Sequence, residues 1–477
     1  MSIVSYKFAL FVISVFSIFY LLKPKYRVLF LAFASVIFIA TYSYISLTYI
    51  LFYTLINYYV GLKLQKSSYK NLYYRLGIVL NITQLILFRY ASFAIDPFIK
   101  LFNSNVLISN LSQIIIPLGL SYYTLQGIGY LINIRRGWEK AERNYLHLLV
   151  YISFFPKFIS GPIERSNHFL PQLHKNILFN EEQIIIGLKI ILIGLFKEIA
   201  IANKLAPYAL NVYSYIDNVQ GYTSWILFLI QPLYLYFDFS GYTDIAIGLA
   251  KLFGLNLVPN FQRPFLAQNI TAFWKRFHMS LSSWFNDYVF RPTSFNLRKW
   301  GISASVLSVF LTWTLFGIWH GAGWNYMLIG FMQAAIINYE YFTKKFRTNL
   351  FSFLPTIISI WVGRLLTYLF FSFSLVFFFS PTISTGYSFL TTMFSFNGPS
   401  PFVDMSLKPF EVIIYIPLIL IVEILQNDYN STYGRLEKIW NGKTKISRFI
   451  RWSTYSIIIT IVFIAGFKSQ QFVYANF

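Results

Sequence analysis

The stretch WGISASVLSVFLTWTLFGIWHGAGWNYMLIGFMQAAIINY, Trp300–Tyr339, contains no Lys, Arg, Asp or Glu. Forty residues at 1.5 Å each make about 60 Å of helix, twice the hydrocarbon thickness of a bilayer, about 30 Å. One straight helix of that length has nowhere to go. The stretch must fold into two segments, and Gly321 and Gly323 mark the break, where glycine admits a turn and a close approach of other backbone. Lys299 and Lys344 bound the pair and are expected on the cytoplasmic side. The two segments then form a hairpin with His320 near its apex. An ionisable residue held inside a membrane domain is a functional-site hypothesis by default.

Further apolar runs of similar character occur around 28–49, 76–95, 112–134, 184–202, 222–237, 356–380, 410–425 and 452–467. Of the 477 residues 56% are hydrophobic and 12% charged, about half the charged fraction of a soluble domain, roughly 25%. The expectation is an all-α polytopic membrane protein with roughly 11 to 13 membrane helices, some broken or re-entrant. It reads as a single integral membrane domain over 1–477, with N-terminal helices to 144, a centre over 145–340 and C-terminal helices from 341. Phe8–Leu22 resembles a signal-peptide core in length, but no Ala-x-Ala site follows and Lys23, Lys25 and Arg27 lie downstream of it. It is expected to be a retained helix with its N-terminus outside.

A net charge of +22 could suggest nucleic acid. The basic residues, however, cluster between apolar runs, at Lys23–Arg27, Lys63–Arg75, Arg135–Arg143, Lys344–Arg347 and Arg435–Arg451, and the poorly charged connections at 41–47 and 96–111 alternate with the first three. That is the positive-inside pattern of a cytoplasmic membrane protein, with lipid and not nucleic acid as its partner. The absence of cysteine excludes disulfides and thiolate chemistry.

The centre is where a site is expected, because Pro, Gly and isolated ionisable residues interrupt it, and irregular backbone at membrane depth survives only where protein or a water-filled cavity satisfies its polar groups. In NITAFWKRFHMSLSSWFNDYVF, Asn269–Phe290, helical spacing puts Trp274, Phe277, His278, Leu281, Phe285 and Tyr288 on one face and Arg276, Ser280, Ser283 and Asp287 on the other. His278 thus falls on an apolar face. YLYFDFSGYTDIAIG, Tyr234–Gly248, carries Asp238 and Asp244, expected to hold a cation or backbone N–H groups. FFPKFISGPIERSNHFLPQL, Phe154–Leu173, is Pro-broken and too short to span. A neutral imidazole suits removal of a proton from an alcohol near neutral pH. No nucleophile elbow stands beside His320, and no His pair at i, i+3 or i+4 suggests a zinc site.

The ordered set Phe154-Phe155-Pro156 with Ser160-Gly161-Pro162-Ile163, Tyr236-Phe237-Asp238-Phe239-Ser240-Gly241-Tyr242-Thr243-Asp244, Phe273-Trp274-Lys275-Arg276-Phe277-His278 through Asp287-Tyr288, and Trp319-His320-Gly321 resembles the membrane-bound O-acyltransferase family, in its bacterial alginate O-acetylase and teichoic acid D-alanylation branch. Asn57-Tyr58-Tyr59-Val60-Gly61 and the closing Phe472-Val473-Tyr474 extend the likeness over most of the chain. The resemblance implies that His320 is the catalytic histidine and His278 a second active-site position. Asp238, Asp244, Trp274, Arg276, Trp319 and Asn325 are expected to bind substrate or support the site.

The resemblance also implies a thinned central cavity, a thioester donor arriving from the cytoplasm, either acetyl-CoA or an acyl carrier protein, and no permanently bound cofactor; the histidine spacing adds the expectation of no metal. His320 would act as base, with His278 and backbone or Trp N–H groups orienting the acyl group or steadying the oxyanion. The acceptor would be an exported polysaccharide or an extracytoplasmic SGNH-type acyltransferase; D-alanyl transfer toward teichoic acid is the alternative within the chemistry, and a transporter or flippase the alternative outside it. Arg291-Pro292-Thr293-Ser294 replaces the branch's usual Pro-Leu-Gly-Gly turn, and Phe277 its more usual Trp.

Overall fold

A computed structural model describes residues 2–91, 93, 116–211, 213, 221–395, 442 and 444–466. The expected run at 410–425, the connection at 96–111 and the closing Phe472-Val473-Tyr474 lie outside these residues. Every regular element described is a helix. The N-terminal group is α1 (Tyr6–Leu21), α2 (Pro24–Ala40), α3 (Tyr44–Lys66) and α4 (Lys70–Leu85), the last widening into a π turn over Ile86–Tyr90. The centre follows with α5 (Leu120–Arg136), α6 (Tyr145–Ser153), α7 (Ser166–Leu173), α8 (Glu181–Leu195, continued as a π segment to Ala202), α9 (Asn203–Asn211), α10 (Tyr222–Leu252), α11 (Ile270–Trp274), α12 (Met279–Phe285) and α13 (Arg291–Asn296). Next come α14 (Ile302–His320), α15 (Trp324–Phe342), α16 (Lys344–Phe351), α17 (Thr356–Phe379), α18 (Ile383–Thr392) and α19 (Lys445–Ala465).

Among the described residues, α3, α14, α17 and α19 are long and apolar enough to cross a membrane, and α1 is a shorter apolar helix. Their outer faces expose Ile13, Phe52, Leu311, Leu365 and Phe463. Such side chains would form adhesive patches in water but match the hydrocarbon of a bilayer. The chain is a membrane protein.

The expected run at 28–49 is two helices. Ser43 ends it, its hydroxyl accepting from Ser46 N–H at 3.2 Å to cap α3. The hairpin of α14 and α15 forms as expected, with one difference in what the glycines do. Gly321 and Gly323 have extended backbone, φ −177° and −174°, open to any residue. What demands glycine is space: a Cβ on Gly321 would sit 2.1 Å from the Tyr326 ring, and on Gly317 and Gly330 it would sit 2.3 Å from the backbone oxygens of Tyr326 and Trp313. The two helices touch backbone to backbone, as small residues permit in membranes.

The Pro-broken segment after α6 is non-helical from Phe154 to Arg165 and buried over Phe154–Glu164. Its backbone is satisfied from outside: Phe155 N–H donates to Ser35 Oγ (3.2 Å) and Ile163 N–H to Ser280 Oγ (3.0 Å), while Glu164 C=O accepts from Tyr151 OH (2.9 Å). Lys157, also buried, donates to Tyr151 C=O at 2.7 Å and to Gln126. The irregular centre survives because neighbouring helices meet its hydrogen-bonding demand.

Replacing Gly330 with Ala should therefore cost about 1–3 kcal/mol, the penalty of overpacking a tight contact. Thermal unfolding in detergent measures it, and an unchanged melting temperature would contradict backbone contact in the hairpin.

Candidate active site

His320 is the last residue of α14. The final carbonyls of a helix have no partner within it and carry the negative end of its dipole. Here they are met by side chains from the π turn after α4: Arg89 Nη2 donates to His320 C=O at 2.7 Å and Tyr90 OH to Ile318 C=O at 2.6 Å. Arg89 Nη1 continues to Ser121 Oγ on α5 at 2.9 Å. A cation thus clamps the end of α14 and fixes where the His320 ring can point. The expectation of an apolar run at 76–95 passed over Arg89, although a lone arginine inside such a run was itself the available signal.

His278 is positioned differently. The expected continuous helix over 269–290 is broken between α11 and α12, and His278 takes a left-handed conformation, φ +47°, at the break. Asn260, from the preceding loop, holds it there. Its C=O accepts Met279 N–H (2.9 Å), and its Oδ1 accepts Ser280 N–H (3.1 Å) and lies 3.3 Å from His278 Nδ1. Since Oδ1 already accepts a backbone N–H, the network assigns the His278 proton to Nδ1 and leaves Nε2 as the acceptor nitrogen. Backbone strain in a non-glycine residue of this kind concentrates at functional sites.

The two imidazoles meet, with ring centroids 6.4 Å apart. Both are buried, at 1% exposure for His278 and 7% for His320. Phe239 packs edge-on to His278 at 4.6 Å, and Phe316, Trp319 and Phe378 surround His320 at 5.0, 4.9 and 5.6 Å. A cavity of about 30 Å³ touches both rings, walled by Trp274, Phe316, Tyr326, Phe371 and Phe378 among others. That is room for a water or two. One polar ladder runs along it, from Trp274 Nε1–H to Gln333 Oε1 (3.0 Å) and from Gln333 Nε2–H to Ser374 Oγ (2.9 Å).

The other expected residues divide. Trp274 lines the cavity. Trp319 packs on His320, and its Nε1–H points to Ser121 C=O at 3.4 Å. Both indole N–H groups are therefore engaged elsewhere, and the role foreseen for them, steadying an oxyanion, does not follow from this arrangement. Asn325 is a clamp: its Nδ2 donates to Phe377 C=O (3.1 Å) and Ser380 C=O (2.9 Å), capping the end of α17. Arg276 is half-buried and not among the cavity residues. Asp238 and Asp244 are not brought to the cavity either. Asp244 Oδ2 accepts from the fully buried Lys197 at 2.6 Å, and Asp238 lies near Glu198 of the π segment after α8. Gln333, Asn260, Arg89 and the Lys197–Glu198 pair are additions that the sequence reading missed.

A helical membrane protein with a broken centre and two buried histidines around one small cavity is the class this geometry defines. Residues 141–382 match the membrane-bound O-acyltransferase family. The chain is 30% identical over 415 residues to a peptidoglycan O-acetyltransferase of Helicobacter pylori, a match covering 80% of this chain and 76% of that protein. It is 32% identical over 324 residues to a probable alginate O-acetylase of Azotobacter vinelandii, covering 66% of this chain and 63% of the relative, less than two thirds of its length. A teichoic acid D-alanyltransferase of Bacillus subtilis is 35% identical over 241 residues, 48% of this chain and 60% of that one. The chain belongs to the membrane-bound O-acyltransferase family.

Replacing Arg89 with Met should remove two charge-assisted hydrogen bonds and cost about 2–4 kcal/mol, since hydrogen bonds to charged groups contribute about 1.5–3 kcal/mol each and are not additive. Thermal unfolding reads this directly; a melting temperature within error of wild type would show that the clamp does not hold the end of α14.

Proposed function

We propose that this protein transfers an acetyl group from a thioester to a hydroxyl of an exported polysaccharide, directly or through an extracytoplasmic SGNH-type acyltransferase partner. The observation that carries this reading is the meeting of two buried imidazoles, 6.4 Å apart, across one cavity. Family membership and relatives named as O-acetylases and O-acetyltransferases support it.

In this mechanism His320 takes the proton from the acceptor hydroxyl as its oxygen attacks the thioester carbonyl carbon. A C–O bond forms, the C–S bond breaks, and the imidazolium returns the proton to the departing thiolate. His278, with Nδ1–H tied to Asn260, presents Nε2 as an acceptor that can hold a further hydroxyl of the acceptor molecule; in this tautomer it does not donate to the oxyanion. The Arg89 clamp at His320 and the Asn260 contact at His278 hold the two imidazoles in place before substrate arrives, so little reorganisation of those rings is left for the reaction.

The narrow cavity favours a short acyl group such as acetyl, and its walls must part for donor and acceptor to enter. The longer matches to O-acetylating relatives favour acetyl over D-alanyl. Acetyl-CoA or an acyl carrier protein, both anionic, suits the basic clusters as donor. The alternation of those clusters supports a place in the bacterial cytoplasmic membrane with the N-terminus outside.

His320→Ala should lower acyl transfer by roughly 100- to 10,000-fold, the range of a general base, while the protein remains folded and inserted. The measurement is thiol release from several acyl thioesters by purified protein, with acetylated acceptor quantified alongside. Wild-type turnover in the variant would rule out the role of His320; substrate flux with no thiol release would replace the enzyme with a transporter.

A further inference from the structure

We propose that Glu142, His147 and His174 form a site for a divalent transition-metal ion of the zinc class, separate from the histidine cavity. One ligand atom from each lies within 4.8 Å of the others. Glu142 Oε2 is 2.7 Å from His174 Nε2 and 3.9 Å from His147 Nδ1, and the two imidazoles stand edge to face with centroids 4.5 Å apart. Two imidazole nitrogens and one carboxylate oxygen are a zinc ligand set with a fourth position left for water. Metal–ligand bonds of about 2.0–2.1 Å at tetrahedral angles place ligand atoms about 3.3 Å apart. The contact to His174 must therefore open and that to His147 close, each by about half an ångström. His174, with its side chain 54% exposed, has the freedom to do so.

Two features show a site that is built. Glu142 is held on both sides: its Oε1 accepts Asn144 N–H at 2.9 Å, and its own N–H donates to Tyr130 OH at 3.0 Å, which turns Oε2 toward the histidines. Such outer-shell bonds fix a ligand's orientation. The second feature is His147 Nδ1, buried and without a hydrogen bond among the described residues. A simple Glu142–His174 hydrogen bond accounts for His174 and leaves that nitrogen unexplained, whereas a metal ion occupies it.

The three ligands come from separate segments: the connection after α5, the first turn of α6 and the residue closing α7. An ion here would tie these segments together beside the basic cluster Arg135–Arg143. Spacing could not reveal it, because no two of the ligands are three or four residues apart. The expectation of no metal rested on that spacing.

The test uses the full-length protein, tag removed and stripped with chelator in detergent, titrated with zinc chloride against a chromophoric chelator while thermal unfolding is followed. One zinc ion per chain and a raised melting temperature are expected. His174→Ala, an exposed change that should not disturb folding, and Glu142→Gln should each weaken binding at least about tenfold. Magnesium should not compete, given the nitrogen ligands. No zinc bound above background, or equal affinity in His174→Ala, would overturn the proposal.

Discussion

The structure depends on how one helix ends. α14 stops at His320 inside the protein, where its last carbonyls would be stranded in a low-dielectric medium. Arg89 and Tyr90 resolve that stop by donating to His320 C=O and Ile318 C=O. The same bonds fix the catalytic candidate: a side chain on a capped terminal residue loses the freedom that a frayed helix end would give it. Satisfying the backbone and positioning the imidazole are one interaction.

The second histidine shows the same economy. His278 sits at a helix break whose exposed N–H groups, on Met279 and Ser280, are collected by Asn260, and the Asn260 side chain also reaches the imidazole. Around both rings the side chains are aromatic, which fills space without competing hydrogen bonds. The acids of α10, Asp238 and Asp244, are set apart with Lys197 and Glu198, where Lys197 and Asp244 pair. The carboxylates of α10 are thus kept away from the cavity, which is lined by the neutral polar groups Gln333 and Ser374.

Much of the fold was legible because bilayers impose simple length rules. The hairpin at Trp300–Tyr339 followed from the absence of charge over forty residues, and the central irregularity from Pro156, Pro162 and Gly161. Local pattern failed where a distant residue decided the outcome. Helical periodicity made 269–290 one helix, yet Asn260 competes for its backbone and breaks it at His278. The glycines at the hairpin turn were correct in place but act through close packing, since their backbone is extended. Arg89 looked like part of a span, because its partners lie more than two hundred residues away in α14. Asn325, adjacent to the motif, proved to cap α17, a partnership that only tertiary structure discloses.

The central claim is that the cavity between His278 and His320 is where acyl group and hydroxyl converge. A cryo-electron microscopy structure with a non-hydrolysable acetyl-thioester analogue tests it most directly. The account predicts the analogue's carbonyl between the two imidazoles, with Phe378 or Tyr326 displaced to admit it. Density for the acyl group elsewhere, with both rings still enclosed by unmoved aromatic side chains, would contradict it.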